Sequence, residues 1–221
     1  MTSTVGAITI GQSPRPDVVP EMRELLGREV RVVERGALDR LTPDEIAVLA
    51  RDGSGPVLVT RLRDGTEVRL REDVLVPRVA ACVRELEGEV ELILLLCTGG
   101  FPPLPSGRPV LSPEPVLYNV VRSLGARRVG VLTPAAEQLA FQLERWQKIA
   151  ERVTVAAASP YGPPDAVCAA AEQLAQTDAD VVVMDCIGYT GAMKALVRER
   201  VGKPVVLARS ALARVAAELL G

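Results

Sequence analysis

Short unbroken apolar runs alternate along this chain with stretches whose apolar positions recur every third or fourth residue, and that alternation predicts strands and helices in turn. VGAITIG at 5–11 reads as a first strand, ended by Gly11 and the loop QSPRPD. Pro16 and Asp17 open a helix that runs to about Leu26, with Asp17 placed where a carboxylate suits the helix dipole. EVRVVERG (29–36) predicts a second short strand, and LTPDEIAVLA carries Thr42, Pro43 and Glu45 in the arrangement of a capping box. From 56 to 71 the period drops to two on either side of Asp64-Gly65, the pattern of a hairpin, and its Arg-rich faces place it on the surface. Helical spacing returns over 71–88, broken at Pro77, and leads into the strand ELILLLC. TGGFPPLPSGRP (98–109) holds too much Gly and Pro for a regular element.

The second half repeats this grammar. PVLSPEPVLYNVVRSLG supplies a short strand and a helix with Gly125 at its C-terminal cap. There follow strand RVGVLTP (128–134), helix AAEQLAFQLERWQKIA, strand VTVAAASP, helix DAVCAAAEQLAQT, strand DVVVMDC, helix AMKALVRER, strand KPVVLA and a last helix, SALARVAAELLG. In the first of these helices Leu139, Leu143, Trp146 and Ile149 form an apolar stripe suited to core packing or a dimer face. Strands apolar on both sides, set between helices, predict α/β architecture with parallel sheets covered on both faces.

Two of the strands match residue for residue. In EVELILLLCTG and DADVVVMDCIG, Glu91 corresponds to Asp180, Leu92 to Val181, Cys97 to Cys186 and Gly99 to Gly188. VGAITIG and VGVLTP look like one opening strand written twice. The interval from that strand to the cysteine is 92 residues in the first copy and 57 in the second, so the first half reads as the second plus an insertion the size of the hairpin and its flanks. Two α/β lobes are expected, 1–112 carrying Cys97 and 113–221 carrying Cys186, with the last helix packing on the first lobe. Each lobe presents its cysteine at the C-terminal end of a strand, the edge where open α/β sheets bind ligands.

Composition narrows the chemistry. The 221 residues include 26 Lys and Arg against 28 Asp and Glu, a formal charge of −2, which leaves no basic footprint for nucleic acid. Runs such as LILLLC fall far short of the ~20 apolar residues that span a bilayer. The N-terminal stretch lacks the charged region of a signal peptide, so a cytoplasmic protein is expected, with its four cysteines as thiols. There is no histidine, which removes every mechanism that needs imidazole, and the cysteines at 82, 97, 168 and 186 lie too far apart in sequence for a structural zinc site. No metal is expected. No glycine fingerprint for a dinucleotide or a nucleotide phosphate follows any strand. Lys194, early in a helix after the Cys186 loop, gives little ground for pyridoxal phosphate, and no cofactor is expected.

A thiol titrates at about 8.5 in isolation and is tuned toward neutrality by cations and helix N-termini. A thiol and thiolate facing one carbon from opposite sides can therefore remove a proton and return one, the requirement of cofactor-free racemisation; one thiolate can instead add to the substrate while the other thiol donates a proton. Free cysteine is also a common core residue, and Cys82 and Cys168, on helical faces, read as that alone. The matched register, with glycine two residues on in both copies, singles out Cys97 and Cys186.

ITIGQSPRPDVVPEM, the strand ends LLLCTGGF and MDCIGYT, and the terminal VVLARSALARVAAELL resemble the AroM family, within the aspartate/glutamate racemase-like superfamily, over essentially the whole chain. The resemblance implies two pseudo-symmetric Rossmann-like lobes, a ligand cleft between them, and Cys97 and Cys186 in the acid/base positions. It also implies a substrate carboxylate held just after each cysteine, by Thr98, Gly99 and Gly100 and by Gly188, Tyr189 and Thr190, with Ser13, Arg15 and Thr133 completing the pocket. The superfamily's racemases place Asn-Thr after the first cysteine and Thr-His after the second; here the followers are Thr-Gly and Ile-Gly.

Other residues carry weaker signals. Arg15 precedes a helix and presents a fork suited to an anion, TGGF offers exposed backbone N–H groups, and Asp185 points away from Cys186 and reads as a buried, hydrogen-bonded carboxylate. Two functions are carried forward. One is a cofactor-independent isomerase or racemase acting on a small carboxylate through two cysteines; the other is a module that binds a small anion without turnover. A homodimer is compatible with either.

Overall fold

A computed structural model of the chain describes residues 3–27, 29–50 and 53–221. They fall into two compact units, 1–113 together with 212–221, and 114–211. The first contains β1 (Thr4–Thr9), α1 (Val19–Leu26), β2 (Arg31–Gly36), α2 (Pro43–Leu49), β3 (Val57–Arg61), β4 (Glu67–Arg71), α3 (Glu72–Leu86), β5 (Leu92–Leu96) and β6 (Val110–Leu111). The second contains α4 (Pro113–Ser123), β7 (Arg128–Thr133), a 3-10 turn at Ala136–Gln138, α5 (Leu139–Gln147), β8 (Arg152–Ala157), α6 (Pro164–Ala175), β9 (Val181–Met184), α7 (Gly191–Val201) and β10 (Val205–Leu207). The last helix, α8 (Ala208–Leu220), begins in the second unit and ends in the first.

Each unit is built on a four-stranded sheet in which every pairing is parallel. The strand orders are β2-β1-β5-β6 and β8-β7-β9-β10, the same order with the same chain path. LILLL of β5 and VVVM of β9 are buried at every position, as central strands covered on both faces must be. The register repeats as well: Ile8 pairs with Leu95 and Leu132 with Met184, so the two cysteines stand at the same height in their sheets. The acid that leads each run ties down the start of the neighbouring strand. Glu91 accepts from the Thr4 N–H at 3.1 Å, and Asp180 from those of Arg127 and Arg128 at 3.1 and 2.9 Å.

The capping box at Thr42 and Glu45 forms as its residues predict, with the Glu45 N–H donating to Thr42 Oγ1 and the Thr42 N–H to Glu45 Oε2. Gly125 closes α4 at a φ of 63°, in the left-handed region where a Cβ would be strained. Three expectations change. Helix α3 runs straight through Pro77, because Leu75, Val79, Cys82, Val83 and Leu86 all bury on one face and their packing outweighs the backbone bond that proline cannot make. The buried side of α5 is Gln142, Arg145 and Trp146, while Leu139, Leu143 and Ile149 are only half-buried. The β3–β4 hairpin, part of the insertion between β2 and α3, is not merely superficial: Leu58 and Leu70 pack in the first unit's core with Ile8, Leu75 and Ile93. Its arginines face outward on the other side, with Arg69 and Arg71 exposed.

No described helix is long and apolar enough to cross a membrane. The Asp180 carboxyl is held down to about 2, first by hydrogen bonds from the Arg128 side chain and then by its backbone N–H. A carboxylate depressed in this way contributes stability that is complete above its unfolded value and disappears as pH falls through the folded one. Asp180→Asn should therefore flatten the loss of stability between about pH 4 and pH 2, measured by urea unfolding at each pH. Equal slopes in the variant and the parent would show that the carboxylate contributes nothing there.

Candidate functional site

The residues singled out by sequence lie at the C-terminal edges of the two sheets, where the loops after parallel strands gather. In the first unit β1 ends at Thr9, whose Oγ1 accepts from the Gly11 N–H at 3.2 Å and from Arg15 Nη1 at 2.9 Å. Arg15 is 3% exposed, and its fork closes on Asp17, Nε to Oδ1 and Nη2 to Oδ2, both at 2.8 Å. The guanidinium expected to meet an outside anion is thus engaged by a carboxylate of its own loop, a bidentate match that a single anionic ligand must displace. Ser13 gives both its N–H and its hydroxyl to Asp39 at 2.6 Å, and Asp39 also accepts from the Gly36 N–H at 2.7 Å. From the hairpin side, Arg63 Nε donates to the Ser13 carbonyl at 2.7 Å.

Cys97 follows β5 directly. The Gly99 N–H points back at its sulfur, 3.4 Å away. Thr98 is buried and Gly100 half-buried. A Cβ built on Gly99 would stand 3.0 Å from Leu58 and 3.1 Å from Phe101, so the inserted hairpin backs this turn.

The second unit repeats the turn. Cys186 follows Asp185 at the end of β9, and the Gly188 N–H points at the Cys186 sulfur, again at 3.4 Å. A Cβ on Gly188 would fall 2.6 Å from the Tyr161 hydroxyl and 2.7 Å from Pro160. Tyr189 is fully buried and donates to the Ala158 carbonyl at 2.6 Å; burial above all, with the charges of Cys186 and Asp185 behind it, pushes the phenol well above its ordinary value. Thr190 caps α7, accepting from the Met193 N–H at 3.2 Å, and Thr133 at the end of β7 donates to Gln138 at 2.5 Å.

Cys97 and Cys186 are 7% and 8% exposed, each a member of its unit's buried apolar cluster. Exposure does not distinguish them from Cys82, also 7% exposed. Surroundings do: Cys82 lies mid-helix in α3, where burial and then the Glu85 charge push its thiol up to about 11, an unreactive core cysteine. Cys97 and Cys186 instead receive a backbone N–H, and that contact strengthens as the sulfur becomes anionic. Cys168, on α6, is partly exposed.

Buried polar contacts shape these edges, and the arginines among them were passed over by sequence reasoning. Trp146 Nε1 donates to Asp185 Oδ2 at 2.9 Å, so the carboxylate beside Cys186 is anchored in the core, as its position in the strand predicted. Arg145 lies alongside, with Glu114 Oε1 at 3.0 Å and the Tyr118 hydroxyl at 3.1 Å. Burial opposes its charge, but Asp185, Tyr118 and Glu114 outweigh burial and leave the guanidinium more firmly protonated than an ordinary arginine. Arg209, 1% exposed, donates to the carbonyls of Ile187 at 2.9 Å and Gly188 at 3.1 Å. The available signal was an arginine inside the apolar stretch VVLARSALA. For Arg145 and Gln142 residue type gave none, although at helical spacing Gln142 falls within the stripe of Leu139, Trp146 and Ile149 and Arg145 lies beside it.

Two parallel α/β units of the same topology, each ending a central strand in cysteine, define the racemase-like fold. Solved structures share it over nearly the whole chain. A liganded double mutant of arylmalonate decarboxylase aligns with a TM-score of 0.68 at 18% identity, covering 100% of this chain and 93% of its own. The maleate isomerase Iso from Pseudomonas putida aligns with 0.65 at 16%, covering 99% and 92%, and the aspartate racemase of Picrophilus torridus with 0.56 at 12%, covering 98% and 94%. No curated protein matches the chain in sequence. The chain matches the family described as AroM protein over residues 5–220 and belongs to it.

Because Tyr161 and Pro160 fill the space above Gly188, Gly188→Ala should destabilise the protein by about 1–3 kcal/mol, the usual cost of overpacking. Gly99→Ala meets only the movable ends of Leu58 and Phe101 and should cost less. Urea unfolding of the two variants checks the order, and the reverse order would contradict it.

Proposed function

We propose that the protein is a cofactor-independent racemase or isomerase acting on a small carboxylate, with Cys97 and Cys186 as its acid/base pair. The observation that carries this reading is the repeated turn: in each unit a cysteine ends the equivalent central strand and receives the N–H of the glycine two residues on, at the same 3.4 Å. Support also comes from the proteins that share the fold, named for a decarboxylase, an isomerase and a racemase whose substrates, by name, are small carboxylates.

In this reaction one cysteine, as thiolate, takes the proton from the carbon beside the substrate carboxylate. The electron pair of that C–H bond moves into an enolate, and the other cysteine, as thiol, delivers its proton to the opposite face. The two sulfurs finish with their protonation states exchanged, so the reverse reaction starts from the other side. Thr98, Gly99 and Gly100 on one side and Gly188, Tyr189 and Thr190 on the other surround the carboxylate. Backbone N–H groups and the Thr190 O–H are the suitable donors on the second side, because Thr190 Oγ1 only accepts from the Met193 N–H, whereas the Tyr189 O–H is given to the Ala158 carbonyl. Ser13, Arg15 and Thr133 complete the pocket through the loops they brace.

A second reading, binding of a small anion without turnover, is favoured by one observation. The Asn-Thr and Thr-His followers of the superfamily's racemases are replaced by Thr98-Gly99 and Ile187-Gly188.

The two readings part on solvent exchange. With a panel of 2-amino, 2-hydroxy and dicarboxylic acids in deuterated water, the parent protein should exchange the hydrogen beside the carboxylate of its substrate. Cys97→Ser and Cys186→Ser should each slow that exchange by about 10²-fold or more, followed by proton NMR. Undiminished exchange in both variants would eliminate the two-cysteine mechanism. Thermal stabilisation by a carboxylate that survives both changes, with no exchange in the parent, would establish the second reading.

A further inference from the structure

The Cys186 turn is tied to a buried cation to which the two-cysteine reaction assigns no task. Arg209, the second residue of α8, buries all but 1% of its surface and directs Nε to the Ile187 carbonyl at 2.9 Å and Nη2 to the Gly188 carbonyl at 3.1 Å. Placing a guanidinium in a core is costly unless its donors are met, and two of its acceptors are the carbonyls that directly follow the cysteine. The Ile187 carbonyl and the Gly188 N–H belong to one planar peptide. One end of that peptide receives the guanidinium, and its other end points at the Cys186 sulfur, 3.4 Å away.

A full positive charge on the carbonyl oxygen polarises the peptide and makes its N–H a stronger donor. The second bond, to the Gly188 carbonyl, fixes the rotation of the turn, so the N–H stays aimed at sulfur. Taking Cys186 as an acid/base group, we propose that Arg209 is its positioning residue, holding the turn and favouring the thiolate through the Ile187–Gly188 peptide.

The charged and titratable groups around the turn define the balance Arg209 must tip. Asp185 at the end of β9 disfavours a second negative charge beside it; its carboxylate is held by Trp146 and faces the Arg145 charge on α5, which in turn meets Glu114 of α4. Tyr189, in the turn, is directed to Ala158, and Tyr161, from the loop after β8, occupies the space above Gly188. Arg209 is bonded to the turn itself, on the two residues that follow the cysteine, where Asp185 is the residue that precedes it.

The test is the pH profile of alkylation by iodoacetamide, read at each cysteine by mass spectrometry in the full chain, with Cys97 as the internal reference. In Arg209→Gln the midpoint for Cys186 should rise by about one pH unit while that for Cys97 stays in place. Arg209→Lys keeps the charge but loses the fork, and should shift the Cys186 midpoint in the same direction by less. An unchanged Cys186 midpoint in folded Arg209→Gln would overturn the proposal, as would equal movement at both cysteines, which reports general loosening. Should Arg209→Gln fail to fold, Arg209→Lys is judged by the same two criteria. Alkylation needs no turnover, so this outcome is separate from that of the solvent-exchange experiment.

Discussion

A strand buried on both faces must hand its chain to a turn that satisfies its own backbone N–H groups, and in both halves of this protein a cysteine sulfur accepts one of them. Neutral sulfur is a weak acceptor and thiolate a strong one, so the contact that terminates the strand also biases the proton on the thiol. The glycine two residues on is part of the same device. At 99 and at 188 the space a Cβ would need is already filled, by Leu58 and Phe101 in one unit and by Pro160 and Tyr161 in the other. Architecture and the proposed chemistry therefore rest on the same few atoms.

The surroundings of the two turns differ. The first is backed by the inserted hairpin, whose Leu58 packs against Gly99 while Arg63 and Asp39 fix the neighbouring loop at Ser13. The second is held by buried polar groups: Trp146 on Asp185 before the cysteine, Arg209 on the carbonyls after it, and Arg145 with Glu114 and Tyr118 nearby. Buried charges of this kind are costly alone and strongly specifying when fully met. The two cysteines therefore end equivalent strands in environments that are not equivalent.

Much of this was legible in the sequence because it depends on pattern. The all-apolar runs at Leu92–Leu96 and Val181–Met184, the capping box at Thr42, the hairpin around Gly65 and the C-cap at Gly125 each follow from local rules. So does the repeat, whose acids Glu91 and Asp180 turned out to tie down equivalent strand starts. What escaped depends on contacts between distant residues. Pro77 looked like a break because its missing N–H is local while the packing that keeps α3 whole is not. Arg145 and Gln142 escaped because they are polar residues on a face read only for its apolar members, and their burial depends on partners such as Glu114 and Tyr118 from another helix. Arg15 looked available because the closure of its fork on Asp17 is a matter of rotamers.

The proposed function requires Cys97 and Cys186 to serve one small-carboxylate site. Iodoacetate, itself a small carboxylate, tests it through the stoichiometry of labelling, since a carboxymethyl group on either sulfur would fill a shared site and repel a second anion. Intact-mass and peptide analysis should find chains carboxymethylated at Cys97 or at Cys186 but not at both. Chains that accumulate both modifications as independent events would contradict the account.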